Sequence, residues 1–260
     1  MGIGFGTDVL ASRKSAHKSS FKDGDRSATD YRMRQSNHSG LVAHWRNGEP
    51  LQIRTKGYRR FNLAIKRMID ITGAVIALVA LGPMLILIAA IIRLSDGGPI
   101  FFRQKRVGKD GALFEIFKFR TMRIDACDLS GVQQTVAGDE RITRIGTFLR
   151  RTSIDELPQL LNIALGHMSL VGPRPHVPGM LAAGRLYEEL VPYYDHRHSM
   201  LPGLTGWAQT NGLRGATDKA EAAIGRIEHD IAYIQNFSVW LDIRIIFNTI
   251  RREFLTGNAH

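Results

Sequence analysis

From Ile71 to Ile92 the chain carries no charged side chain. As a straight helix this run measures ~33 Å at ~1.5 Å per residue, about the thickness of a bilayer's hydrocarbon core. Soluble domains seldom enclose so uniform a helix, so the segment predicts insertion into a membrane. Two features bear on how it inserts. Gly82 and Pro83 stand near its centre, where proline removes a helical hydrogen bond and bends the axis. Basic residues flank both ends, with Arg59, Arg60, Lys66 and Arg67 before the run and Arg93, Arg103, Lys105 and Arg106 after it. Such flanks stay on the cytoplasmic side of a bilayer. A helix that breaks at Gly82 and Pro83 and returns to the face it entered satisfies both flanks. A spanning helix with a tolerated proline kink is the alternative. Asp70, at the mouth of the run, needs a partner at that depth, and Arg67 one turn earlier is the candidate.

The apolar run divides the chain into three. Residues 1–57 show no sustained apolar period, are rich in Ser, Gly, Lys and Arg, and read as a disordered basic tail without a secretory signal. Residues 58–96 form the membrane-embedded part. Residues 97–260 form a soluble domain ending in an amphipathic helix. Across its 260 residues the chain has a formal net charge of +11, which suits a nucleic acid, an anionic membrane or a phosphorylated substrate. The single cysteine, Cys127, excludes an intrachain disulfide and fits a reducing compartment. His196 and His198 read as polar surface rather than as a metal site.

In the soluble part, Pro99–Gly108 reads as a strand and turn. Phe114–Met122 alternates as a strand, with Lys118 and Arg120 on one face, suited to an anion or simply solvated. Leu157–Ala164 and Ala222–Phe237 read as helices. Val239, Trp240, Ile243, Ile246, Phe247 and Ile250 form a stripe at helical spacing, either in the membrane interface or on the core. The expected fold is mixed α/β and mainly helical, with a small sheet.

The chemistry concentrates in Arg150-Arg151-Thr152-Ser153-Ile154-Asp155-Glu156-Leu157-Pro158-Gln159. Pro158 fits a helix only in its first turn, which places Asp155 and Glu156 near a helix N-terminus. Ser153 and Glu156 have capping-box spacing. Free N–H groups there favour phosphate and an ionised carboxylate, and an ionised Asp beside phosphate can attack phosphorus. An ordinary helix cap remains the alternative. Arg174, fixed between Pro173 and Pro175, suits bidentate phosphate binding or is an exposed arginine in a turn. Leu201–Gly212 reads as a Gly/Pro-punctuated loop able to carry binding groups.

Taken in order, several motifs of this chain resemble the bacterial sugar transferases, monotopic phosphoglycosyl transferases that start exopolysaccharide, capsule or O-antigen synthesis. They are Lys66-Arg67-Met68-Ile69-Asp70, Gly97-Gly98-Pro99-Ile100-Phe101, Phe117-Lys118-Phe119-Arg120-Thr121-Met122, the Arg150–Gln159 segment, Val171-Gly172-Pro173-Arg174-Pro175 and Pro202-Gly203-Leu204-Thr205-Gly206-Trp207-Ala208-Gln209. The resemblance covers about Phe61 to Phe254. It implies transfer of a hexose 1-phosphate, galactose or glucose first, from a UDP-sugar to undecaprenyl phosphate with release of UMP. It implies a re-entrant helix at the bacterial inner membrane and a catalytic domain on the cytoplasmic face. Asp155 matches the family's nucleophile and Glu156 its partner, assigned to Mg²⁺. Lys118, Arg120, Arg150 and Arg174 are expected on substrate phosphates, and Trp207, Gln209 and Asn211 in a nucleotide-sugar loop.

Two departures stand out. His167 occupies a position that is commonly acidic in the family, and Gly82 precedes Pro83 where serine is common. No nucleic-acid partner is expected, and self-association is open. The rival reading is a single-pass basic membrane adaptor for anionic lipid or nucleic acid, with Asp155 and Glu156 as a mere cap. Glu156 as nucleophile is a further alternative.

Overall fold

A computed structural model describes residues 41, 43–46, 49–50, 56–123, 139–215 and 217–256. They are mostly helical, with small two-stranded sheets. Helix α1 (Lys56–Asp96) runs 41 residues with Pro83 inside it. The chain stays α-helical through Gly82 and Pro83. The helix lies on the rest of the domain along much of its length. Ala74 packs with Ile116, Leu160, Ile163 and Met168. Ile88 and Ile92, four to five turns later, pack with Phe119 and Leu149. Gly73 permits part of this contact, because a Cβ there would sit 3.1 Å from Leu170 Cδ1. The opposite stripe, including Ile76, Val79, Ile86 and Leu87, is exposed. Such a contiguous apolar face marks a partner or a membrane.

A buried polar knot fastens the foot of this helix. Lys66 Nζ lies 2.6 Å from Asp242 Oδ2 and 3.8 Å from Asp70. Asp70 Oδ1 accepts from the Leu170 amide at 3.0 Å. The Tyr233 hydroxyl donates to Asp242 Oδ1 at 2.7 Å. Burying these charges is tolerable because each has a partner. The partner of Asp70 is thus Lys66 and a backbone amide, not Arg67. Arg67 donates instead to the carbonyls of Ile163 (2.8 Å) and Met168 (3.1 Å). A cation there satisfies carbonyls at a helix C-terminus.

The described residues form four two-stranded sheets, one of them β6 (Leu181–Ala182) with β7 (Arg185–Leu186). Strands β3 (Phe101–Val107) and β4 (Leu113–Phe119) form an antiparallel hairpin with Phe101 opposite Phe119 and Val107 opposite Leu113; β1 (Trp45–Arg46) and β2 (Glu49–Pro50) form a smaller one. Strand β5 (Ser169–Val171) pairs in parallel with β8 (Gly203–Thr205). Their closeness needs glycine: a Cβ on Gly203 would stand 2.0 Å from the Gly172 nitrogen, and one on Gly206 2.4 Å from the Gly172 oxygen. The expected loop at Leu201–Gly212 is therefore ordered structure, a strand followed by a short helix at Trp207–Thr210.

The two last helices, Ala220–Asn236 and Val239–Thr256, close a core with Val171, Met200, Trp207, Tyr233, Phe237, Leu241 and Ile245. Of the anticipated stripe on the final helix, Trp240, Ile243, Phe247 and Ile250 are exposed and Ile246 packs against the core, whose buried helix face is instead Leu241, Asp242 and Ile245. The first 40 residues of the expected tail lie outside the described residues, but its end does not behave as a tail. Ala43 is buried, and the Gln235 side chain pairs with both the N–H and the carbonyl of His44 at 2.7 and 2.8 Å.

Candidate active site

The approach to the two carboxylates starts at an eight-residue helix, Arg144–Arg151. Thr143 caps it through its hydroxyl, which accepts from the Gly146 amide at 2.9 Å. Gly146 lies so near Thr121 that a Cβ would meet its carbonyl oxygen at 2.1 Å. After this helix Ser153 turns left-handed, at φ 54° and ψ 16°. A non-glycine residue adopts that region at a cost of order ~1 kcal/mol, which the surroundings must offset. The expected capping box does not form, because Ser153 makes no side-chain cap and its carbonyl instead accepts the Glu156 amide. Ile154–Glu156 is a turn of 3₁₀ helix, and the α-helix Gln159–Ala164 begins only after Pro158. The carboxylates therefore sit just before that helix rather than in its first turn.

Their environments differ sharply. Glu156 Oε1 accepts from Lys118 Nζ at 2.8 Å. Arg174 Nη1 donates to Oε2 at 3.1 Å and Nη2 to Oε1, a two-pronged grip. Burial alone would push the Glu156 pKa up, but Arg174 and Lys118 outweigh it and hold it well below the usual carboxylate range. Asp155 is also nearly buried. Among the described residues nothing donates a hydrogen bond to its carboxylate. Burial pushes its pKa up to about 6, against the pull of Lys118, Arg150 and Arg174 and with the help of Glu156. One carboxylate is thus fully engaged and the other is bare.

Of the four expected phosphate-binding cations, Lys118 and Arg174 meet at Glu156. Arg150 is close enough to lower the Asp155 pKa, and its Nε donates to Thr121 Oγ1 at 2.8 Å. Arg120 lies past the end of β4. It is buried and donates to the carbonyls of Pro99 (2.7 Å) and Met122 (3.3 Å), so it braces the strand end rather than sharing an open face with Lys118. Trp207 and Gln209 are buried on the core side, and Asn211 Nδ2 donates to the Trp207 carbonyl at 2.7 Å. These three shape the turn after β8. His167 is exposed beside the Phe114 ring, away from the Arg174 grip.

Two arginines escaped the sequence reading. Arg106 donates to the Pro175 carbonyl at 3.1 Å, next to Arg174. Burial and then the Arg174 charge lower its pKa to about 10. Arg197 is fully buried, 2.7 Å from Asp230, and its Nη2 donates to the Arg174 carbonyl at 2.6 Å. His196 and His198 beside it are half-buried rather than surface. A signal was present: Val191, Tyr194, Arg197 and Met200 recur every third residue and all four are buried, the period of a 3₁₀ helix, which Tyr194–Ser199 forms. A small cleft of about 10 Å³, room for roughly one water, lies beside Arg174, lined also by Val107, Gly108, Pro173, Pro175 and Met200.

Mg²⁺ takes oxygen ligands, commonly one or two carboxylates completed by substrate phosphates. Glu156 fits that part only when Lys118 and Arg174, which hold its two oxygens here, turn away from it. Asp155, unbonded, has the donor chemistry for it. Among the described residues no group of three or more His, Cys, Asp or Glu could enclose a metal by itself.

Residues 61–256 match the family model of the bacterial sugar transferases. The chain belongs to that family. It is 54% identical over 198 residues to the exopolysaccharide production protein PSS of Rhizobium leguminosarum bv. phaseoli, covering 76% of this chain and 99% of that one. It is 49% identical over 194 residues to an undecaprenyl-phosphate glucose phosphotransferase of Komagataeibacter xylinus, covering 75% of this chain and 36% of the relative. It is 45% identical over 199 residues to a UDP-glucose:undecaprenyl-phosphate glucose-1-phosphate transferase of Escherichia coli, covering 76% and 42%. The chain therefore spans nearly all of the first relative and less than half of the other two. As a sugar transferase domain, it holds its family-matched segment from the foot of α1 through the last helix.

Proposed function

We propose that this chain transfers a hexose 1-phosphate, glucose first, from a UDP-sugar to undecaprenyl phosphate through a phosphosugar bound to Asp155. The observation that carries the reading is the unequal pair: a bare, desolvated carboxylate beside one that is fully hydrogen-bonded. A carboxylate without hydrogen bonds is the better nucleophile. Asp155 oxygen attacks the phosphorus that bears the sugar. The bond from that phosphorus to the bridging oxygen breaks, and UMP leaves with the electron pair. A phosphate oxygen of undecaprenyl phosphate then attacks the same phosphorus, which gives the lipid diphosphate sugar and returns the Asp155 carboxylate. Lys118 and Arg174, turning from Glu156 toward phosphate oxygens, bind the charge that develops at each step. Mg²⁺, held beside the reacting phosphate by Asp155 or Glu156, would supply further neutralisation of phosphoryl charge. The glucose preference follows the names of the two glucose-specific relatives.

The membrane arrangement belongs to the same proposal. The foot of α1 at Lys66 and Asp70 and its far part at Ile92 touch one and the same domain, about 22 residues or ~33 Å apart along the axis. A helix crossing the bilayer would draw that domain, with its charged knot, through the hydrocarbon. The contacts support a helix that enters and stays on the cytoplasmic side with its exposed stripe in lipid. The test is incubation of the full chain with UDP-glucose without lipid acceptor, followed by peptide mass spectrometry. A hexose phosphate on Asp155, chased by undecaprenyl phosphate, is expected. UMP release with Asp155 unmodified throughout would overturn the scheme.

A further inference from the structure

We propose that Asn162 is a positioning residue, whose side-chain amide stands in for a third strand beside β4 and thereby sets Lys118 against Glu156. Strand β4 pairs with β3 on one edge only. On the other edge Asn162 Oδ1 accepts from the Phe117 N–H at 2.9 Å, and Asn162 Nδ2 donates to the Glu115 carbonyl at 2.7 Å. The amide thus takes the carbonyl before Ile116 and the N–H after it. That is the pattern one residue of a parallel neighbour would present. Asn162 is fully buried, so water does not compete for these bonds.

The clamp connects the two halves of the site. Asn162 belongs to the helix that continues directly from Asp155 and Glu156. Phe117 is the residue before Lys118. Fixing Phe117 to Asn162 therefore fixes the strand that supplies Lys118 to the segment that supplies Glu156, and Lys118 Nζ reaches Glu156 Oε1 at 2.8 Å. Ile116 and Ile163 pack in the same cluster, so apolar contact brings the two elements together. The paired hydrogen bonds then tie Glu115 and Phe117 to this one residue of the helix. Asn162 touches no reacting atom in this scheme and acts through Lys118.

The inference rests on the reading of Asp155 as nucleophile for its kinetic test, and a second test is independent of turnover. Asn162→Ala in the full chain displaces Lys118 and should slow Asp155 labelling by UDP-glucose between about 10- and 100-fold. The Asn162→Ala/Lys118→Ala double variant should lose no more than Lys118→Ala alone. A wild-type labelling rate, or losses that multiply in the double variant, would overturn the proposal. If Asn162→Ala does not fold, Asn162→Ser carries the same comparison. Independently of activity, acylation of the Lys118 amine, read by mass spectrometry, should quicken about tenfold when the clamp is cut. Unchanged Lys118 reactivity in a folded variant overturns the proposal even if Asp155 never labels.

Discussion

Replacing the bare carboxylate should make the protein more stable just where it destroys activity. Asp155 has a folded-state pKa of about 6 against 3.8 when unperturbed. That gap, at ~1.36 kcal/mol per pH unit, corresponds to ~3 kcal/mol. The direction follows from proton counting. Between the two values the folded chain holds the proton more tightly than the unfolded chain, so stability is greatest below 3.8 and falls as pH rises through about 6. Above that pH the ionised Asp155 costs the fold ~3 kcal/mol. Asparagine has nearly the same shape and no charge to desolvate. It has its own cost, an amide buried without partners, of ~1–2 kcal/mol, but that term does not change with pH. The comparison of Asp155→Asn with wild type at pH 8 and at pH 4 therefore isolates the ionisation.

About 2.5 of the ~3 kcal/mol falls between pH 4 and pH 8, so at ~2–4 °C per kcal/mol for a chain of this size the Tm of Asp155→Asn relative to wild type should be ~5–10 °C higher at pH 8 than at pH 4. Thermal unfolding in detergent micelles, followed by tryptophan fluorescence, reads it directly. Every other titrating group is common to both proteins and cancels to first order. If the Tm difference between variant and wild type is the same at both pH values, Asp155 is not desolvated. The contrast with Glu156, on which the mechanism depends, then fails too.

Two other outcomes follow from the same geometry. Arg174→Lys keeps the charge but loses the two-pronged grip, so UMP release from UDP-glucose should drop ~100-fold, and a wild-type rate would remove Arg174 from the phosphate site. Ser95→Cys with Cys127→Ser should react with a membrane-impermeant maleimide only when the cytoplasmic face is open, since both ends of α1 lie on one domain. Labelling from the outer face of right-side-out vesicles would make α1 a spanning helix.

Much of this was legible in the chain. The alternation around Phe114–Phe119 is a strand, the apolar run is a helix, and the adjacent Asp155 and Glu156 do lie among cations. These are local properties, fixed by side-chain periods and by proline. What escaped reading depends on residues far apart. Lys66 meets Asp242 across 176 positions, and nothing near Asp70 says that its partner is Lys66 rather than Arg67. The S-x-x-E spacing at Ser153 and Glu156 matches a capping box, yet Glu156 is taken by Lys118 and Arg174, 38 and 18 positions away. A side chain drawn to two distant cations cannot also reach back to a helix start. The failed cap and the working site thus have one cause. Freed from capping, Ser153 takes the left-handed turn, and Glu156 answers both cations while none of the described residues donates a hydrogen bond to its neighbour. Two identical functional groups, adjacent in sequence, acquire opposite chemistry because tertiary contacts satisfy one and only surround the other.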